Sequence, residues 1–305
     1  MAAGVAGTWV DAAYPQGCQE RFPGCLAGSL LAMEHPGTMR TTLPPTDTPT
    51  RGKRNISTAL CELAQLHFQL GDWWSAHSCA TEALEVARSR GCVRPAMHAL
   101  ARLASIEAGL GDIRLCRRHA VEAIELSDEL GEPAVEALAA EALGFLELGL
   151  GRPSCAIQRL EAAEPIWRSS RPARALARDW PLHLADAHVR LGNSAAAERA
   201  LSRLERRATC TGSFVLAAAC ERSRAMLAPD DAFEPRFGRA LHWNSWARQP
   251  FELARTQLCF GERLLRAGHH PAARVQLSAA RETFESLGAR PWAAAAKSEL
   301  KLVAP

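Results

Sequence analysis

A chain of 305 residues, 48% hydrophobic and 23% charged, has the apolar content to bury a large core, which excludes a disordered chain. The formal charge is +3, and its basic side is nearly all arginine, the lysines being Lys53, Lys297 and Lys301. Arg alternates with Glu instead of gathering in one run, so charge alone gives no nucleic-acid footprint. Ala and Leu dominate beside a single Tyr, which favours helix throughout.

Residues 1–53 carry Gly, Pro and Thr without periodicity, ending in "TLPPTDTPTRGKRN", and read as a poorly ordered tail or linker. The apolar run "CLAGSLLAM" at 25–33 is too short to span a bilayer, and no Lys/Arg-rich start precedes it. The expectation is a cytoplasmic chain without a membrane anchor.

From residue 54 to 305 the sequence repeats. "LGDWWSAHSCATEALEVARSRG" from 70, "LGDIRLCRRHAVEAIELSDELG" from 110, "LGRPSCAIQRLEAAEPIWRSSR" from 150 and "LGNSAAAERALSRLERRATC" from 191 align on glycines 71, 111, 151 and 192. Gly268 lies two steps further on, which places a missing turn near 230, at "APDDA". Second turns follow at Gly91, Gly131, Arg171, Gly212, Pro250 and Gly288. Each unit is therefore a helix, a Gly turn and a second helix. Asp72, Asp112 or Asn193 stands ready to cap the helix after the turn.

Five residues beyond the turn glycines stand Ala76, Cys116, Ala156, Ala197 and Ala273. Twelve beyond stand Ala83, Ala123, Ala163, Leu204 and Ala280. Seven residues is about two helical turns, so both sets share a face and let the paired helices approach closely. One such hairpin cannot bury its apolar faces, whereas a stack can. The expected fold is all-α: a right-handed superhelical solenoid of about six antiparallel helix pairs with a C-terminal capping helix. A HEAT-like array also fits the period of 38–41 residues; the "LGD" turn with its small residues favours a tetratricopeptide-like one.

First helices over 55–70, 94–110, 134–149, 174–191, 213–227 and 251–267 would floor a concave groove fit for a protein partner or a small effector. Homo-oligomers are compatible with this plan. Signatures of a phosphate-binding loop, a zinc protease or a nucleophile elbow are missing, so neither an enzyme nor a cofactor is expected. Asp179, His183 and Asp186 share one helix face, with His188 nearby; a metal site is one reading and a surface polar stripe the favoured one. His269 and His270 read as caps of the preceding helix. The ten cysteines show no ligand spacing and read mainly as buried thiols in a reducing cytosol.

Among the tryptophans, a ligand cage competes with wedges between helices, and wedges are favoured. Trp243 and Trp246 lie in "FEPRFGRALHWNSWARQP", where periodicity is weakest and Pro235 starts or bends a helix. They are the candidate partner or effector surface.

The C-terminal segment resembles the last repeat of the large ATP-binding LuxR-type regulators of actinobacteria, relatives of the maltose regulator MalT. Pro250, Phe251, Glu252, Ala254, Arg255, Gly261, Glu262, Arg263 and Leu264 carry the likeness. Ala273, Arg274, Phe284, Leu287, Gly288, Ala289, Pro291, Trp292, Glu299 and Leu300 extend it, while Ala295 replaces an expected Arg. The resemblance implies the repeat region of a transcriptional regulator, between a nucleotide-binding domain and a helix-turn-helix domain that are not found here. It implies no specific DNA binding by this chain alone. A free-standing adaptor and a remnant without activity are the alternatives.

Overall fold

In the computed structural model, residues 49–169 and 179–303 are described. The expected tail up to residue 48 and the expected turn at Arg171 lie outside the described residues. The chain is an array of antiparallel helix pairs: α1 (Pro49–Leu70) with α2 (Trp73–Arg88), then α3 (Val93–Leu110) with α4 (Ile113–Leu130). Next, α5 (Pro133–Gly149) pairs with α6 (Pro153–Ala162), followed by the short α7 (Glu164–Ser169). The later pairs are α8 (Trp180–Leu191) with α9 (Ser194–Thr211), and α10 (Phe214–Leu227) with α11 (Phe233–Ala247). Finally α12 (Pro250–Arg266) pairs with α13 (His270–Leu287), and α14 (Arg290–Leu302) closes the array.

The turns repeat one chemistry. Asp72 N–H donates to His67 O, Asp112 N–H to Glu107 O, Asn193 N–H to His188 O and Ala289 N–H to Phe284 O. This is the bond that ends a helix when the next residue is left-handed. Asp72, Asp112 and Asn193 then cap the following helices by accepting from Ser75, Leu115 and Ala196 N–H. Residues 228–232 form the turn at "APDDA". After α11 the left-handed residue is Arg248, not a glycine.

The ten small or apolar residues at the two repeat offsets are all buried. Between them helices come within reach of backbone contact. A Cβ on Gly144 would lie 2.7 Å from Leu160 Cγ, and one on Gly261 would lie 2.5 Å from that of Leu277.

The array also turns back on itself. Helix α14 packs on α3, and α12 touches α1. Arg290 Nε donates to Leu110 O at 3.1 Å across 180 residues of sequence. A Cβ on Gly71 would meet Pro250 Cγ at 2.6 Å, and one on Gly111 would strike Pro291. Aromatic rings join the two ends: Trp73 meets Phe251 at 5.1 Å, and Phe145 meets both Phe251 (5.6 Å) and Trp292 (6.0 Å). Aromatic pairs at these separations add to what their buried area contributes.

Candidate functional site: a closed concave cavity

Because the last pair folds against the first, the concave groove narrows to a cavity of about 60 Å³. Its lining comes mostly from first helices, as the repeat plan requires: α1, α3, α5, α8, α10 and α12. Phe68, Trp73, Phe145 and Phe251 supply aromatic walls. Gln65, Arg102, Ser105, Glu141, Asp179, His183 and Glu252 supply polar groups. Such a volume holds a few water molecules or one small functional group.

Beneath the cavity lies a buried charge network. Arg222 Nη1 donates to Glu252 Oε2 at 3.0 Å, and Arg255 Nη1 to Glu252 Oε1 at 2.7 Å. Arg255 also donates to Asp186 Oδ2, and Arg222 Nη2 stands 3.5 Å from the same oxygen. Two carboxylates thus face two guanidiniums. Asn244 and Arg222 both donate to Thr256 Oγ1, tying α11 and α10 to α12. Arg255 lies 5.0 Å from the Trp292 ring and 5.7 Å from that of Phe251, in cation–π range.

These charges set the protonation pattern. Burial alone would raise the carboxyls of Asp186 and Glu252, but Arg222 and Arg255 outweigh it and hold both below the usual carboxylate range. At Glu141 burial, then Asp179, outweighs the opposing pull of Arg102 and Arg207 and pushes the carboxyl well above the ordinary value. Burial, reinforced by Arg255, drives the His183 imidazole down to about 3. Both groups are therefore held toward their neutral forms. The Glu141 Oε2 and His183 Nδ1 atoms are buried without a hydrogen-bond partner, and His183 Nδ1 stands 3.7 Å from Glu141 Oε1, beyond bonding reach.

The structure corrects the favoured reading of the helix face that carries Asp179, His183 and Asp186. It is not a surface stripe: His183, Asp186 and His188 are all buried, since α8 is enclosed by α5, α6, α9 and α10. His183 stacks on Phe145 at 4.7 Å instead of pointing to water. Among the described residues no group of three or more His, Cys, Asp or Glu is placed to hold a metal ion. His269 is corrected in part: its N–H closes α12 on Leu264 O, but its imidazole reaches Glu234 Oε1 at 3.0 Å. Four of the eight described cysteines are buried, whereas Cys155 and Cys210 are exposed.

The tryptophans divide. Trp73, Trp180 and Trp292 are wedges with almost no exposure, while Trp74 is 82% exposed. Trp243 is buried against Phe214, Ala217 and Ala218, away from the cavity, and Trp246 beside it is 54% exposed. Sequence reasoning missed Glu141 and Arg222. The available signal was a charge on a first helix whose neighbours at i±3 and i±4 are all uncharged: Ala137, Leu138, Gly144 and Phe145 around Glu141, and Ala218, Ala219, Ala225 and Met226 around Arg222.

No family model matches the chain, and no curated protein does. Solved structures do. One is a crystal structure of a Rap protein complexed with competence and sporulation factor, at a TM-score of 0.67 and 14% identity. The match covers 79% of this chain and 66% of that one. A likeness at this identity concerns the fold: an all-α, tetratricopeptide-like solenoid of antiparallel helix pairs. No described helix is long and apolar enough to cross a membrane.

Proposed function

We propose that this chain is a non-enzymatic binding module, a free-standing adaptor that takes an effector or a group of a protein partner into its concave cavity. The observation that supports it most is the pair of unpartnered polar atoms, Glu141 Oε2 and His183 Nδ1, on an aromatic-lined cavity. An unsatisfied buried polar atom destabilises by about 1–3 kcal/mol, so an occupant that bonds both atoms is favoured. The similar Rap protein was crystallised with a bound factor, which agrees with this reading. Occupancy would be felt by both ends of the array, because α1, α3, α5 and α12 all line the cavity. Trp246, exposed beside Phe214, is proposed as an anchor for a protein partner on the outer face.

The test is a thermal-shift screen of short peptides and small metabolites on the full chain and on Ser105→Trp, which fills the cavity from α3. Compounds that raise Tm in the parent and not in the variant support the reading; hits indifferent to Ser105→Trp contradict it.

A second reading, the sensor part of a LuxR/MalT-type transcriptional regulator, is favoured by residues 250–300. The residues of that resemblance are those that close the array: Phe251, Glu252 and Arg255 at the cavity and its network, Pro291 and Trp292 at the seam. On this reading the chain alone shifts promoter DNA weakly and without sequence preference. A tight, sequence-specific mobility shift would overturn it.

A further inference from the structure

We infer that the cavity selects a primary ammonium group, which Glu141 and His183 would hold among the rings of Phe68, Trp73, Phe145 and Phe251; this rests on the binding-module reading above. The acceptor balance of the lining leads there. Arg102 donates to Gln65 Oε1, and both oxygens of Glu252 are taken by Arg222 and Arg255. Glu141 Oε2 and His183 Nδ1 are then the buried side-chain atoms of the lining residues that have no hydrogen-bond partner. Both side chains are more than nine-tenths buried.

An anion would meet the carboxyls of Asp179 and Glu252 with Arg102 as its one cationic neighbour on the lining, and it would leave the His183 Nδ1 acceptor unbonded. A neutral apolar group would leave Glu141 Oε2 unbonded. A guanidinium brings five donors in a rigid plane, more than two acceptors satisfy. A primary ammonium brings three donors on a compact head that suits about 60 Å³: two serve Glu141 and His183, and the third is left to the aromatic rings, which attract cations. On binding, the carboxyl of Glu141 gives up its proton to solvent and the resulting carboxylate pairs with the ammonium, so charge balances inside the cavity. The neutral imidazole of His183 then accepts through Nδ1, with its ring proton on Nε2.

The source of the ammonium can be a free small amine, a peptide N-terminus or a lysine side chain. Three probes separate these sources: n-propylammonium, glycinamide and Nα-acetyl-lysinamide. Propanol, propionate and methylguanidinium serve as controls of matched size. Ligand-observed NMR on the full chain is expected to show binding by at least one ammonium probe and weaker or no binding by the controls. Glu141→Gln keeps the shape and removes the charge; it is expected to weaken the ammonium probe by roughly tenfold or more, the loss of one charge-assisted bond. Ser105→Trp, which leaves both acceptors in place, is expected to block the same probe and remains informative if Glu141→Gln fails to fold.

Equal binding by propanol, propionate or methylguanidinium, or an unchanged affinity in Glu141→Gln, overturns the ammonium assignment. So does silence from every ammonium probe. In each of these cases the binding-module reading still stands if the thermal-shift screen gives hits that Ser105→Trp abolishes, so the two failures are told apart.

Discussion

Helices α3 and α5 line the early half of the concave wall, and α8, α10 and α12 line the later half; the two halves are built on different physics. Helix α3 buries Ala99, Leu100, Leu103, Ala104 and Ile106 at full or nearly full burial, and α5 buries fourteen of its seventeen residues, mostly Ala and Leu. Apart from Glu107, paired with His119 and His77, and from Glu141 and Glu147, stability there comes from size matching, and small losses are felt in proportion to the atoms removed. The later half buries Asp186, Arg222, Glu252 and Arg255 at the same depth. There, each charge is tolerable only while its partners are in place. The early half therefore degrades by degrees, and the later half fails when one member of the network is lost.

The largest expected effect follows from that contrast. Arg255→Met strips Asp186 and Glu252 of a shared partner and is expected to lower unfolding stability in urea by about 3–5 kcal/mol. On the early wall Ile106→Val is expected to cost about 0.5–1.5 kcal/mol. Equal losses for the two variants would break the comparison.

The seam between the halves gives the next effect. Gly111 and Gly131 both have positive φ, 75° and 65°, so Ala at either is strained by a similar amount. Only at Gly111 would the added methyl also strike Pro291; nothing lies within 4 Å of that position at Gly131. Gly111→Ala is expected to be less stable than Gly131→Ala by about 1–3 kcal/mol, the usual cost of overpacking. Identical melting curves would mean that the seam contributes nothing.

Acid and base then act on the halves with opposite sign. Asp186 and Glu252 have depressed values, so their contribution is full above the unfolded carboxylate range near pH 4 and fades as pH falls below it. His183, neutral when folded down to about pH 3, also loses stability as pH falls, from about 6.5. Glu141 has a raised value, so the folded state keeps a proton that the unfolded state releases above about pH 4.3, and stability falls as pH rises. The urea midpoint of Glu141→Gln relative to the parent is expected to improve steadily from pH 4 to pH 8. A flat difference would show that the early half lacks this buried acid.

The smallest effect sharpens the boundary of both halves. Trp246→Ala, on the exposed side of α11, is expected to change stability by no more than about 0.5 kcal/mol. A larger change in thermal melting would mean that Trp246 is part of the packed array.

The helix pairs were legible in the sequence because their determinants are local. A left-handed glycine and small residues at two offsets recur at the same distance from the first turns of five pairs, with an Asp or Asn cap at three of them, and all stand within one helix pair. The closure was not legible. Gly71 against Pro250, Gly111 against Pro291 and Arg290 against Leu110 are set by the accumulated curvature of the whole array. No local pattern encodes that sum. The same cause explains the polar face of α8. Its spacing put Asp179, His183 and Asp186 on one side, but an open groove would wet that side, and the closed one buries His183 and Asp186. Glu252 and Arg255 stood out only through a family resemblance; their ion pairs to Asp186 and Arg222 link residues 30 to 69 positions apart.

Closure of the array is tested most directly by amide hydrogen exchange on the parent and on Arg255→Met. In the variant α3 and α5 are expected to lose protection together with α12 and α14, because the two ends share one packed centre. Loss confined to α12–α14, with α3 and α5 exchanging as in the parent, would contradict it.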